Sequence, residues 1–134
     1  MDISGYFTSI NREKLKELML DLIRSDYCES LYKDDLEYLA PIIYLDNPAS
    51  HKILRCDPKI IDMVPERKLL DPYGENGIAI GNITSQYGSN LFLNEIDHFC
   101  VDDLGLEMYI RYVDDIVIIN KDKSRLLRAL PLIT

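Results

Sequence analysis

Apolar residues recur with the spacing of an α-helix directly after Asn11. They follow a period of about 3.6 residues, which is typical of a helix with one buried side. Asn is a favoured N-cap, and Ile10 and Leu15 have the spacing of a hydrophobic staple. The pattern therefore predicts a core-packing helix that starts at Asn11. Its apolar face would consist of Leu15, Leu18, Met19, Leu22 and Ile23.

A second helical pattern extends from about Asp35 to Leu45. Asp34 and Glu37 are placed as a capping box at its start. Pro41 is expected to kink or shorten this helix, because proline lacks the amide donor of the helical hydrogen bond. The predicted apolar face consists of Leu36, Leu39, Ala40 and Ile43.

Two β-rich runs flank a pair of adjacent acids near the end of the chain. The stretch from Tyr109 to Asn120 is YIRYVDDIVIIN, so aromatic and β-branched residues stand on both sides of Asp114 and Asp115. Such runs are typical of a β-hairpin with the acids at its tip. Both strands are expected to be buried, which makes two ionised carboxylates costly unless a cation neutralises them. A solvated turn is the simpler alternative, since Asp is a common turn residue.

A glycine-flanked stretch, Gly77–Gln86, precedes another helical pattern that runs to about Asp103. Two glycines four residues apart, Gly77 and Gly81, allow a sharp turn and close approach to the backbone, and Asn82 or Thr84 can cap the helix. Small residues then follow one side of the helix, and they leave room either for something bulky or for another helix. These residues are Gly81, Ser85, Gly88 and Ser89.

The remaining segments have weaker patterns. Residues 2–7 are typical of a strand end that breaks into a loop at Gly5. Residues 46–76 are rich in proline and charge, which predicts a long irregular connection with one or two short strands, around residues 52–56. Residues 121–134 indicate a helix that is cut short at Pro131.

Length and composition are those of a globular protein. The 134 residues suit a single domain, 1–134, with 47% hydrophobic and 28% charged residues. Helical and strand patterns together predict an α+β fold, a small antiparallel sheet backed by helices. No apolar run approaches the roughly 18 residues of a membrane helix, and the N-terminus lacks signal-peptide features. A cytoplasmic location without membrane contact is therefore expected.

The net charge of −8 disfavours tight binding of nucleic acid by this chain alone, since such domains usually present excess Lys and Arg to the phosphates. Acids clustered around a metal ion, and basic residues on a further domain, would both account for the charge. The three cysteines are widely spaced and odd in number, so neither a disulfide framework nor a zinc site is indicated. His51 and His98 are isolated and are interpreted as structural.

Acids in separate segments suggest a catalytic metal site. Phosphoryl transfer by two metal ions about 4 Å apart needs carboxylates that converge from different parts of the chain. Asp2 at a strand end and the pair Asp114 and Asp115 at a hairpin tip would meet that requirement. Mg²⁺ is the natural ion, because carboxylates, phosphates and water are the hard ligands it prefers. This site depends on Asp2 lying close to Asp114.

The order of these motifs resembles that of the reverse transcriptases, over nearly the whole chain. Residues 2–7 are similar to the first palm motif of that family, residues 77–86 to the second, and Tyr112-Val113-Asp114-Asp115 to its YxDD signature. The resemblance implies a polymerase palm with two Mg²⁺ ions, or Mn²⁺ in their place. It assigns catalysis and metal binding to Asp2, Asp114 and Asp115, with Asp115 as a secondary or structural acid, and adds Ile3 to the metal and nucleotide site.

Further residues of the substrate site follow from the same resemblance. Phe7 would be an aromatic gate that clashes with a ribose 2′-hydroxyl, and Tyr112 would lie near the primer end. Ile80, Gly81, Ser85 and Gln86 stand where most of the family has Gln-Gly followed by Ser-Pro. This variant is similar to the reverse transcriptases of bacterial diversity-generating retroelements, relatives of the group II intron enzymes, which copy an RNA with errors at adenines. Loss of a polar side chain at Ile80 would loosen base selection.

The resemblance implies RNA-directed DNA synthesis with template RNA, primer and deoxynucleoside triphosphates as partners, and a small basic accessory protein in this subfamily. The chain would be a palm fragment without most of the fingers and thumb, and therefore inactive or weak alone. Uncovered apolar surface favours homo-oligomers. Two alternatives are a catalytically dead palm remnant that acts as a protein-interaction module, and another palm-type phosphotransferase such as a nucleotide cyclase.

Overall fold

A computed structural model of the chain describes residues 3–25, 31–50, 57–61, 63–65 and 74–133. The fold is mixed α+β, as the sequence predicted, with helices and a two-stranded antiparallel sheet in the described residues. The chain divides into two compact units: a helical unit, Gly5–Leu91, and a hairpin unit, Met1–Ser4 with Phe92–Thr134. None of the described helices is long and apolar enough to cross a membrane.

The helices and strands have the following bounds. The helices are α1 (Tyr6–Ser9), α2 (Arg12–Arg24), α3 (Lys33–Leu45), α4 (Pro58–Ile61), α5 (Ile83–Phe92), α6 (Asn94–His98) and α7 (Lys123–Ile133), with a π-helical turn (Phe99–Asp103) directly after α6. The strands are β1 (Met108–Tyr112) and β2 (Asp115–Ile119).

Helix α2 confirms the prediction made from its cap and period. The Asn11 side chain accepts a hydrogen bond from the Lys14 amide at 2.9 Å, which satisfies one of the free donors of the first turn. Ile10 and Leu15 are fully buried, as the hydrophobic staple requires. The helix packs against α3, and at its end Arg24 donates two hydrogen bonds to the exposed Glu37 carboxylate at 2.9 and 3.0 Å.

Helix α3 differs from the prediction in its start and in its buried side. The capping box is wrong, because the N-cap is Tyr32 and Asp34 already lies within the first turn. Pro41 does not shorten the helix, which continues to Leu45. Ala40 is buried as predicted, but the other buried residue is Tyr44, whereas the predicted apolar residues Leu36, Leu39 and Ile43 are exposed.

The helical stretch to Asp103 is confirmed, as a chain of shorter helices. Asn82 caps α5, since its side chain accepts hydrogen bonds from the Thr84 hydroxyl and from the Thr84 amide, the latter at 3.0 Å. The helix breaks at Leu93, continues as α6, and ends in the π-helical turn, where the Leu104 amide donates to the Phe99 carbonyl at 3.0 Å.

Other helices, not an open space, occupy the buried side of α5 around Gly88. A Cβ atom on Gly88 would lie 2.8 Å from Cε1 of Tyr44 and 3.2 Å from Cδ2 of Leu15. Ser85 and Ser89 are buried on the same helix, and the Tyr6 hydroxyl donates to the Ser89 carbonyl at 2.5 Å. Here the small residues allow α2 and α3 to approach closely, the second of the two predicted explanations.

The hairpin unit has one covered sheet face and one exposed face. Ile116 is buried on the covered face, and Tyr109 and Ile118 pack there against the core. That core consists of Cys100, Leu106 and Ala129, with Ile96, Leu104 and Ile133 around it. The expectation that both strands are buried is wrong for the opposite face, where four apolar residues are at least half exposed. They are Met108, Ile110, Val117 and Ile119.

Helix α7 closes the core of the hairpin unit. The Asp122 side chain accepts a hydrogen bond from the Ser124 amide at 2.8 Å, so it caps the first turn. A helix was predicted here, but Pro131 does not end it, since the helix runs to Ile133. Cys100 in the core is a buried free thiol.

The first residues form a turn and a short helix. Ile3 lies outside any strand, Ser4 and Gly5 form a turn, and α1 starts at Tyr6, so the predicted strand end does not include Ile3. Gly5 has a φ of 67°, which glycine adopts without strain. Asp2 and residues 52–56, with their predicted short strand, lie outside the described residues.

Candidate functional site

The acidic pair lies at the tip of the hairpin, as predicted. Tyr112 and Asp115 form the last cross-strand pair, so Val113 and Asp114 alone make the turn between β1 and β2. Asp114 is half-buried and Asp115 is exposed. Val113 has a φ of 57°, in the left-handed region that β-branched residues rarely adopt. The backbone that presents Asp114 is therefore held in an unfavourable conformation.

An ion pair beneath this turn could not be foreseen from the motifs. Arg111 Nε donates to Asp97 Oδ1 at 2.7 Å, and Arg111 Nη2 donates to Asp97 Oδ2 at 2.5 Å, which is a bidentate arrangement. The remaining guanidinium nitrogen, Nη1, donates to the Val113 carbonyl at 3.0 Å. Tyr109 adds a hydrogen bond from its hydroxyl to Asp97 Oδ1 at 2.7 Å. Helix α6 thereby holds the turn through two side chains.

The electrostatics of this cluster favour an ionised Asp97. Desolvation alone would raise the pKa of its carboxyl, but the hydrogen bonds from Arg111 and Tyr109 and the nearby positive charge lower the pKa below its ordinary value. Burial and the hydrogen bond to Asp97 raise the pKa of the Tyr109 phenol above its ordinary value. Burial, and after it the charge of Asp97, also raises the pKa of the Cys100 thiol.

The second group of predicted site residues lies in the helical unit. The Ile78 amide donates to the Phe7 carbonyl at 2.9 Å, so the first and second motifs are neighbours in this unit. The Phe7 ring is half-buried and packs edge-on against the Tyr6 ring, with centroids 5.5 Å apart. Ile80 is 77% exposed beside Gly81, whose φ is 92° and where an added Cβ atom would meet no atom within 4 Å.

Ser85 and Gln86 lie on different sides of the first turn of α5. Ser85 is buried and lines a small pocket with Tyr44, Ile78 and Asn82. Gln86 is exposed, and its amide donates to the Asn82 carbonyl at 3.1 Å. Of the predicted second-motif residues, Ile80, Gly81 and Gln86 are therefore exposed and available to a ligand, whereas Ser85 is not.

Arg12 is a second feature that the sequence did not indicate. Although it is only 6% exposed, its Nη1 donates to the Asn76 carbonyl at 2.7 Å and the Gly77 carbonyl at 3.0 Å, and its Nη2 donates to the Gly74 carbonyl. The Gly77 amide in turn donates to the Ile10 carbonyl at 2.7 Å. Arg12 thus anchors the segment that leads into Ile80 and Gly81.

Comparison with protein-family models, with characterised proteins and with solved structures gave no match to this chain. Phe7, Ile80, Gly81, Ser85 and Gln86 belong to the helical unit. Ile3, Tyr112, Asp114 and Asp115 belong to the hairpin unit, in which Ile3 is half-buried and Tyr112 is 79% exposed.

The carboxylates at the hairpin tip are the type of ligand that a hard divalent cation prefers, but Asp114 and Asp115 are only two of the three predicted ligands. Within the described residues, the carboxylates of Asp114 and Asp115 make no hydrogen bond or ion pair, so no protein cation competes for them. Within those same residues, no group of three metal-binding side chains comes together. The third predicted ligand, Asp2, lies outside them, so its approach to Asp114 stays a prediction.

Proposed function

We propose that this chain is the palm region of an RNA-directed DNA polymerase, with a two-metal site at Asp114. The observation that supports this most is the hairpin tip: YVDD forms a two-residue turn that presents one acid in the turn and one at the start of β2. The adjacency of Phe7 and Ile78 in the helical unit adds support, because it joins the first two motifs. The palm-type sheet belongs to the same proposal.

In the proposed reaction, the 3′-hydroxyl oxygen of a primer attacks the α-phosphorus of a deoxynucleoside triphosphate. A new phosphodiester bond forms, pyrophosphate leaves, and the hydroxyl proton passes to solvent. Two Mg²⁺ ions, or Mn²⁺, would stabilise the charge that develops on the phosphoryl oxygens. Asp2 and Asp114 would hold them, with Asp115 and the Ile3 backbone beside them. Tyr112, which is exposed next to the turn, would orient the primer end.

The second motif and Phe7 would determine which nucleotide is accepted. The Phe7 ring would exclude a 2′-hydroxyl by steric contact, which selects deoxynucleotides. Ile80 offers an apolar surface and no hydrogen bond to the incoming nucleotide, so base selection would be loose. Loose selection of this kind would suit the retroelement enzymes that copy an RNA with errors.

The partners would be template RNA, a primer and deoxynucleoside triphosphates. The charge of −8 favours a small basic accessory protein that brings the missing positive charge to the nucleic acid. The exposed apolar face of the hairpin would favour self-association of the isolated chain. A cytoplasmic location is part of this proposal.

Mn²⁺ binding to the 134-residue chain tests the proposal without requiring turnover. Water-proton relaxation enhancement should reveal Mn²⁺ binding that is lost in Asp114→Ala. It should be retained in Asp103→Ala, a control that removes an exposed acid from the π-helical turn. Primer extension on an RNA template should show the same ranking. Equal Mn²⁺ binding by both variants, or none by the wild type, would contradict the proposal and favour a catalytically dead palm remnant.

A further inference from the structure

The turn that carries Asp114 has an unfavourable backbone conformation, which other contacts must stabilise. Val113 is the one non-glycine residue with positive φ among the described residues, and it stands directly before the proposed metal ligand. Glycine and asparagine are the usual residues in such turns, because they reach the left-handed region without a steric penalty. A valine there would tend to relax, and relaxation would move the Asp114 carboxylate.

The Arg111 guanidinium is placed to resist that relaxation. It donates to the Val113 carbonyl, at the peptide that joins Val113 to Asp114. Its own position is fixed by the bidentate contact with Asp97, and these side chains are only 11% and 27% exposed. Tyr109 fixes the carboxylate in turn, through Asp97 Oδ1. A buried guanidinium fork has little rotational freedom, so it can set a backbone direction where a single flexible contact cannot.

We propose that Arg111 and Asp97 are positioning residues that hold the left-handed turn at Val113 and so aim the Asp114 carboxylate at the cation. The part of this inference that concerns the cation rests on the proposed function. The part that concerns the turn does not. Arg111 touches neither substrate nor cation in this scheme, and it acts through the Val113 carbonyl.

A stability cycle tests the hold on the turn. Arg111→Lys keeps the positive charge but loses the planar guanidinium group with its several donors. Val113→Gly removes the steric penalty of the left-handed conformation. The loss of unfolding free energy caused by Arg111→Lys, measured by urea denaturation, should be clearly larger in the Val113→Gly background than in the wild type, because only the valine turn recovers strain when it relaxes. Additive effects would overturn the inference. Arg128→Lys, at an exposed position of α7, serves as the control and should show no coupling to Val113→Gly.

Mn²⁺ affinity then tests whether Arg111 and Asp97 orient the Asp114 carboxylate, separately from their effect on stability. In variants shown to be folded by circular dichroism, Arg111→Lys and Asp97→Asn should each weaken Mn²⁺ binding at least tenfold, and Val113→Gly should recover part of the loss in Arg111→Lys. Unchanged affinity in both variants would overturn the positioning role. If the wild-type chain binds no Mn²⁺, the proposed function fails, and the stability cycle alone decides whether Arg111 holds the turn.

Discussion

Replacing Gly88 with alanine should destabilise the protein, although the same change usually stabilises a helix. Alanine is favoured over glycine by about 1 kcal/mol in a helix interior. Here the new Cβ would lie 2.8 Å from Cε1 of Tyr44 and 3.2 Å from Cδ2 of Leu15, so these side chains would have to move. Both are buried, and the Tyr44 hydroxyl donates to the Thr84 carbonyl at 3.2 Å, which limits that movement.

The two effects can be compared in free energy. Overpacking of a well-packed core costs about 1–3 kcal/mol, so the net change should be a loss of roughly 0–2 kcal/mol for Gly88→Ala. Urea denaturation followed by circular dichroism would show this as a lower midpoint with an unchanged slope. Tyr44→Leu removes the aromatic ring that the new Cβ would contact, so Gly88→Ala should have little effect in the Tyr44→Leu background. If Gly88→Ala alone stabilises the chain by about 1 kcal/mol, as at an open helical site, the close packing of α3 on α5 is refuted.

Three further predictions address the remaining clusters. Arg12→Ala should cost about 2–4 kcal/mol of unfolding free energy, because it leaves several backbone carbonyls without their charged donor. Arg128→Ala, at an exposed position, should cost little. A small loss for Arg12→Ala would contradict the anchoring role. Because the pKa of Asp97 is lowered in the folded state, its ionised carboxylate should stabilise the protein above the ordinary carboxyl pKa, and this stabilisation should disappear as pH falls through the lowered folded pKa. Asp97→Asn should remove that part of the pH dependence of the urea midpoint. An unchanged pH profile in Asp97→Asn would contradict this role of Asp97. In a primer-extension assay, Phe7→Ala should raise ribonucleotide incorporation relative to deoxynucleotide incorporation, and an unchanged ratio would exclude Phe7 as the gate.

Features determined by near neighbours in the sequence could be predicted. The caps at Asn11 and Asn82 each consist of a side chain and a backbone amide two or three residues away, so both partners can be identified from the local sequence. The same is true of the hairpin, where a two-residue turn aligns the two β-rich runs. The YVDD tip was predicted correctly for this reason.

Features determined by packing between distant segments could not be predicted in the same way. Helix α3 has apolar residues around most of its circumference, so its sequence does not reveal which side is buried. That choice depends on where Gly88 leaves room for Tyr44. The alternation along β1 placed Arg111 on the same face as Tyr109, which could have signalled a buried cation that needs an acidic partner. It could not have identified Asp97, on another element, as that partner.

The most direct test of the central claim is whether one bound cation is close to both ends of the proposed site. Titrating Mn²⁺ into the ¹⁵N-labelled chain should broaden the backbone amide signals of Ile3 and Asp115 at the same low Mn²⁺ concentration, because Asp2 and Asp114 would share the ion. The broadening should be absent in Asp114→Ala. If the signal of Asp115 broadens while that of Ile3 stays sharp, or if neither broadens, the two acids do not form one metal site and the polymerase proposal is contradicted.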